Sequence, residues 1–200
     1  MDIVQYSINA SYLALFLIVI FVSKWLYNLT TPYNNFEEII EKKNLALSVS
    51  ITAFIISVTM IFIAILSGPS YGYLQDITNV AIYSAIGVML LFIARLINDK
   101  FLLSKFCNHQ QIIEKQQLSV GIAQGASYIA AGLIIAGSLT GEGTLVSALV
   151  FYVLGQFTLL VLSKLYDYFT KFDLLHELEE GNVAAAISFA STKIAIGIIL

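Results

Sequence analysis

Long stretches without a single charged residue alternate with short charged segments along this chain. Ile3–Ser23, Leu45–Gln75, Ile77–Ala94, Gln116–Gly141 and Gly143–Ser163 carry no charge, and Gly181–Leu200 carries one, Lys193. A helix that crosses a bilayer needs roughly 20 mostly apolar residues. In lipid, backbone N–H and C=O groups find no water, so only helices and closed barrels cross. The runs show no period-2 alternation, which predicts helices rather than strands. The expected spans are 8–27, 45–66, 77–97, 118–139, 143–165 and 183–200. Turn chemistry at Ser67-Gly68-Pro69 and Gly141-Glu142-Gly143 separates two of the pairs. The predicted fold is an all-α, polytopic membrane protein of about six helices, a single transmembrane domain over 1–200.

Composition strengthens this reading. Of 200 residues, 58% are hydrophobic and 12% charged, against about 25% charged in an ordinary soluble domain. A water-soluble chain of this size must expose too much surface to hide so many apolar side chains. The net charge of −3 argues against nucleic acid as a partner. A single cysteine, Cys107, excludes an internal disulfide and any multi-cysteine metal site.

Basic residues set an expected orientation. Lys24, Lys42 and Lys43 flank the first connection, Arg95, Lys100, Lys105 and Lys115 the third, and Lys164 and Lys171 the fifth. The second and fourth connections have no Lys or Arg. By the positive-inside rule, the basic side is cytoplasmic and the N-terminus lies outside. Trp25 and Tyr27, Tyr71 and Tyr73, and Tyr166 and Tyr168 fall where interfacial aromatic belts are expected. The first helix lacks a basic N-terminal flank and a small-residue cleavage site, so it reads as an uncleaved anchor. The chain stops at Leu200 inside an apolar run, as a fragment of a longer protein would.

The helices pair into a repeating unit. Ile39-Ile40-Glu41-Lys42 recurs as Ile112-Ile113-Glu114-Lys115, and a third segment reads Leu178-Glu179-Glu180-Gly181-Asn182. In each, a Glu (Glu41, Glu114 or Glu179) stands three residues before an amide (Asn44, Gln117 or Asn182), and the amide opens a helix. Asn is a strong N-cap, because its side chain accepts from an orphan backbone N–H. The expected repeats are 8–66, 77–139 and 143–200, three parallel hairpins related by an axis along the membrane normal. The second helix of each hairpin is rich in small residues, including Gly121, Gly125 and Gly132. Small residues let helices approach closely where lipid supplies no hydrophobic drive. The second helices therefore belong inside, and the bulkier first helices against lipid.

A Glu, an Asn three residues later and a Gly/Ala-rich helix resemble the YjfL-like bacterial inner-membrane family, built around domain of unknown function 350. Asn44-Leu45-Ala46 and Asn182-Val183-Ala184 match its helix start, while Gln117-Leu118-Ser119 departs from it. The resemblance implies a bacterial inner-membrane protein in envelope stress or membrane maintenance. It implies no activity, substrate or cofactor.

Candidate chemistry is sparse. Cys107 and His109 lack further ligands for a metal site. His176-Glu177 lacks the second His of a zinc-protease helix, and no phosphate-binding Gly-rich loop or Gly-x-Ser-x-Gly elbow is present. Phe36, Ile39 and Ile40, like Leu174, Leu175 and Leu178, have the spacing of interfacial amphipathic helices. Glu41, Glu114 and Glu179 would converge into a cation-attracting ring if three repeats circled an axis. Lys193 is the one charge inside a membrane run. It shares a face with Ala186, Ala190 and Gly197, and either points into protein or snorkels to the outer surface. Gln124, Ser127 and Thr192 could line a polar path. Transport usually needs mid-membrane carboxylates, and every Asp and Glu falls at an interface or loop. The expected function is a non-enzymatic module or scaffold without cofactors. It contacts lipid, with a second copy or a cytoplasmic protein at its acidic face. A small cation or polyamine channel or transporter is the alternative.

Overall fold

The computed structural model describes residues 3–101, 110–140, 144–170 and 173–200. Among the described residues, seven α-helices and two π-helical turns make up the regular structure. They run α1 (Ile3–Leu29), a first π turn (Glu37–Glu41), α2 (Leu45–Leu66), α3 (Tyr73–Phe101), a second π turn (Gln110–Glu114), α4 (Leu118–Leu139), α5 (Leu145–Phe169), α6 (Leu174–Glu179) and α7 (Val183–Ile199). Cys107, His109, Lys105, Lys171 and the Gly141-Glu142-Gly143 turn lie outside the described residues.

Five helices, α1 to α5, are long and apolar enough to cross a membrane, and α7 is a shorter apolar helix. At 17 residues α7 sits at the short end of the spanning range. Helices α2 and α4 coincide with the expected spans 45–66 and 118–139. Helices α1 and α3 run further at both ends and α5 at its C-terminal end, because polar residues such as Gln5, Asn28, Asp76 and Asn98 remain helical past the apolar stretch.

The core is a row of three helices, with α4 between α2 and α7. Helices α1, α3 and α5 pack outside it. Backbone approach explains the row. A Cβ added at Gly121 would stand 2.8 Å from the Cα of Ala46 on α2, and one at Gly132 would stand 2.7 Å from the Cβ of Ser57. Gly125 faces the Cβ of Ala53 at 3.0 Å. On the other flank, a Cβ on Gly197 of α7 would meet the Cα of Ala130 at 2.8 Å. Dispersion between touching backbones replaces the hydrophobic drive that lipid does not provide. Larger side chains fill the seam between the row and its cover, where Phe54 packs against Tyr27, Phe92 and Tyr128.

Candidate functional site

Three turns lie together at one end of the bundle, each just before a helix of the central row. In the first, Lys42 N–H donates to Glu37 O at 3.1 Å, five residues back, which makes the turn π-helical. Lys43 follows with φ 54°, and Asn44 N–H closes the turn on Glu38 O at 2.9 Å. The second repeats this geometry: Lys115 donates to Gln110, Gln116 has φ 52°, and Gln117 closes on Gln111. The third is one residue tighter and α-helical, with Gly181 at φ 82° and Asn182 N–H on Glu177 O at 2.9 Å. Glycine takes a left-handed φ freely, whereas a side chain there costs roughly 1–2 kcal/mol. Lys43 and Gln116 are held in it by the surrounding bonds.

Turn closure decides which carboxylate meets each amide. Asn44 caps α2, its Oδ1 accepting from Leu47 N–H at 3.0 Å, and its Nδ2 donates to Glu38 Oε2 at 3.3 Å and to Ile112 O at 2.8 Å. Asn182 caps α7 in the same way, accepting from Ala185 N–H at 3.1 Å and donating to Glu177 Oε2 at 2.7 Å. Backbone bonding sets Glu38 and Glu177 beside the amides, and the glutamates three residues before them point elsewhere. Glu41 and Glu114 are exposed, and among the described residues neither has a hydrogen bond or ion pair. Glu179 is exposed as well, 3.7 Å from Lys115 Nζ, and accepts from Gln111 Nε2 at 3.1 Å. Glu38 is the buried member, 3% exposed, and Lys42 Nζ lies 2.7 Å from it. Bonds to Glu38 and Glu37 hold the Lys42 ammonium above the ordinary lysine pKa. The pattern of Glu and amide three apart marked these turns but not Glu38.

Gln117 does not cap α4 with its side chain. Its Nε2 reaches the third turn instead, donating to Glu179 O at 2.8 Å, and Ser119 Oγ donates to Leu178 O at 2.6 Å. Together with Asn44 to Ile112, these bonds lace the turns in the order first, second, third. The interfacial amphipathic segments differ in character. Leu174 and Leu178 of α6 are buried, whereas Phe36, just before the first π turn, and Ile40 within it point outward.

A second polar cluster lies inside the bundle. Lys193 is 1% exposed, so its side chain does not snorkel. It lies 11 residues beyond Asn182, about 16 Å up the helix. Its Nζ donates to Ser127 Oγ on α4 and to Asn98 Oδ1 on α3 at 3.4 Å, and sits 5.2 Å from the ring centroid of Phe189. Beside it, Ser50 Oγ donates to Gln124 Oε1 at 2.5 Å, and Gln124 Nε2 lies 3.5 Å from Asp99 Oδ1. Asp99 is also 4.0 Å from Arg95 Nε, and the Arg95 guanidinium lies over the Tyr27 ring at 4.6 Å. Tyr27 is therefore a packing residue inside the bundle, not a member of an interfacial belt; Trp25, two residues earlier, is exposed. Asn98, Asp99 and Arg95 were missed as bundle residues because they follow the apolar run. The usable signal was the Arg95–Asp99 spacing of four, which puts both on one helix face. Among the described residues, no group of three or more His, Cys, Asp and Glu could hold a metal ion.

The family model of the Domain of Unknown Function DUF350 matches residues 4–139 and 141–200, and the chain belongs to that family. No curated protein and no solved structure matches the chain significantly.

Proposed function

We propose that this member of the DUF350 family is a non-enzymatic membrane module, a firmly packed bundle whose laced acidic turns receive a partner. The observation that carries this reading is the seam between α2 and α4. Gly121, Gly125 and Gly132 bring the helices so close that a methyl group would collide at each contact or press against it. Around α4 the charged and amide groups are spent on one another, Lys193 on Ser127 and Asn98 and Gln124 on Ser50, while Ser84 Oγ, Gln156 Nε2 and Ser163 Oγ stay buried without a partner. Such a core suits a fixed platform better than a path that must open for a solute. At the acidic end, Glu41 and Glu114 face outward, available to a cytoplasmic protein or a second copy of the chain. The resemblance to bacterial inner-membrane proteins supports a place in envelope maintenance or stress. The distribution of Lys and Arg supports an outside N-terminus.

Reconstitution tests the reading. Liposomes containing the protein should pass potassium and spermidine no faster than empty ones. Cation flux would overturn the platform reading in favour of a channel. Loss of that flux in Glu41→Gln with Glu114→Gln would assign it to the exposed carboxylates. Labelling of Lys24 by an impermeant amine reagent applied outside intact cells would reverse the orientation.

A further inference from the structure

A cleft of about 300 Å³ opens between the end of α1, the first π turn and α2. That volume is at the small end for ligand sites and suits a headgroup rather than a whole lipid. Its one charged lining residue is Lys24. Lys24 is exposed, and among the described residues it has no hydrogen bond or ion pair. The nearby acids are otherwise engaged: Glu37 and Glu38 lie 3.3 and 2.7 Å from Lys42 Nζ. Asn28 and Asn35 also line the cleft, with Asn35 Nδ2 donating to Asn28 Oδ1. This leaves the Asn28 Nδ2 as a donor. It also leaves Asn35 Oδ1 buried without a partner on a residue only 7% exposed.

The rim of the cleft is apolar. Phe36 and Ile40 are 66% and 59% exposed on a turn at the end of the bundle. Trp25, adjacent to Lys24, is also exposed, as an interfacial anchor is. We infer that this cleft binds an anionic phospholipid, of which phosphatidylglycerol is the probe. Lys24 Nζ and Asn28 Nδ2 hold the phosphate, and an acyl chain runs over Phe36 and Ile40. Each part of the ligand answers a part of the cleft. The lone lysine without a carboxylate among the lining residues selects net negative charge. A zwitterionic headgroup would bring its own cation beside Lys24. The apolar rim selects a lipid over free phosphate.

Trp25 is the only tryptophan in the sequence, so its fluorescence reports on this corner alone. The full chain in detergent micelles would be titrated with phosphatidylglycerol or phosphatidylcholine, each with brominated acyl chains that quench tryptophan. Phosphatidylglycerol should half-saturate the quenching at about fivefold lower mole fraction, the worth of one lysine near an anionic surface. Lys24→Gln should erase that preference, and Asn28→Asp, which sets a carboxylate against the phosphate, should do the same. Lys43→Gln, outside the cleft, should keep it. Equal half-saturation by the two lipids in the unsubstituted protein would overturn the inference. So would an unchanged preference in both Lys24→Gln and Asn28→Asp. Displacement of the lipid by millimolar inorganic phosphate would show a free-anion site and would also overturn it.

Discussion

Helices α1 and α4 are both long, apolar and all but free of charge within the membrane, yet 78% of the apolar stretch of α4 is buried inside the protein against 6% for α1. Residue size separates them. Helix α4 carries Gly121, Gly125 and Gly132 with alanines between them, whereas α1 presents Leu13, Leu17, Phe21 and Trp25 outward. In water, the more apolar helix would take the centre. In lipid, exposed Leu and Phe carry no penalty, so the centre goes to the helix that lets its neighbours touch its backbone. Apolar character places a helix in the membrane, and side-chain volume places it within the bundle.

Glycine positions should break this comparison most sharply. Gly121→Leu should destabilise the bundle by about 3 kcal/mol, the upper end for overpacking, because its side chain meets the Ala46 backbone, which cannot move aside as a side chain can. On the same helix, Gly137 has nothing within 4 Å of an added Cβ, and Gly137→Leu should change stability by less than about 1 kcal/mol. Thermal unfolding in detergent micelles measures both, and equal effects would refute the size argument.

The cap of α2 comes next. Asn44→Ala should cost about 2–3 kcal/mol, since it removes the N-cap and takes the amide donor from Glu38 Oε2 and the Ile112 carbonyl, leaving Glu38 only its pairing with Lys42. Asn182→Ala, in an exposed turn, should cost about 1 kcal/mol, the ordinary worth of a cap. Denaturant titration followed by circular dichroism would compare them. The smallest effect belongs to α1. Phe21 is exposed, and Phe21→Ala should shift stability by no more than about 0.5 kcal/mol in the same assay.

The ends of α2 and α4 were legible because a spanning helix writes its length into an uncharged run; an amide residue stands at each start, though only Asn44 caps with its side chain. The interior position of α4 was legible from its glycines. The face of Lys193 was legible because Ala186, Ala190 and Gly197 share it, though a lysine stem is long enough to snorkel and the sequence left that choice open. Which carboxylate meets Asn44 was not legible. The motif sets Glu41 three residues before Asn44 and is silent on their contact; a π turn carries the chain round so that Glu38, six residues away, closes on the amide. Nor could spacing show that Asn98, on α3, reaches Lys193 on α7, or that Asp99 turns toward Gln124.

Hydropathy and residue size act locally, so the sequence by itself determined that these segments are membrane helices, where α2, α4 and α7 start, and which of them can sit inside. The tertiary structure decided which residues meet. It set α2, α4 and α7 in a row, bonded Glu179 to the second turn, and joined Lys193 to α3 and α4. Those pairings depend on how helices far apart in the chain rotate and slide against one another. That depends on the fit of whole surfaces, which no short motif records.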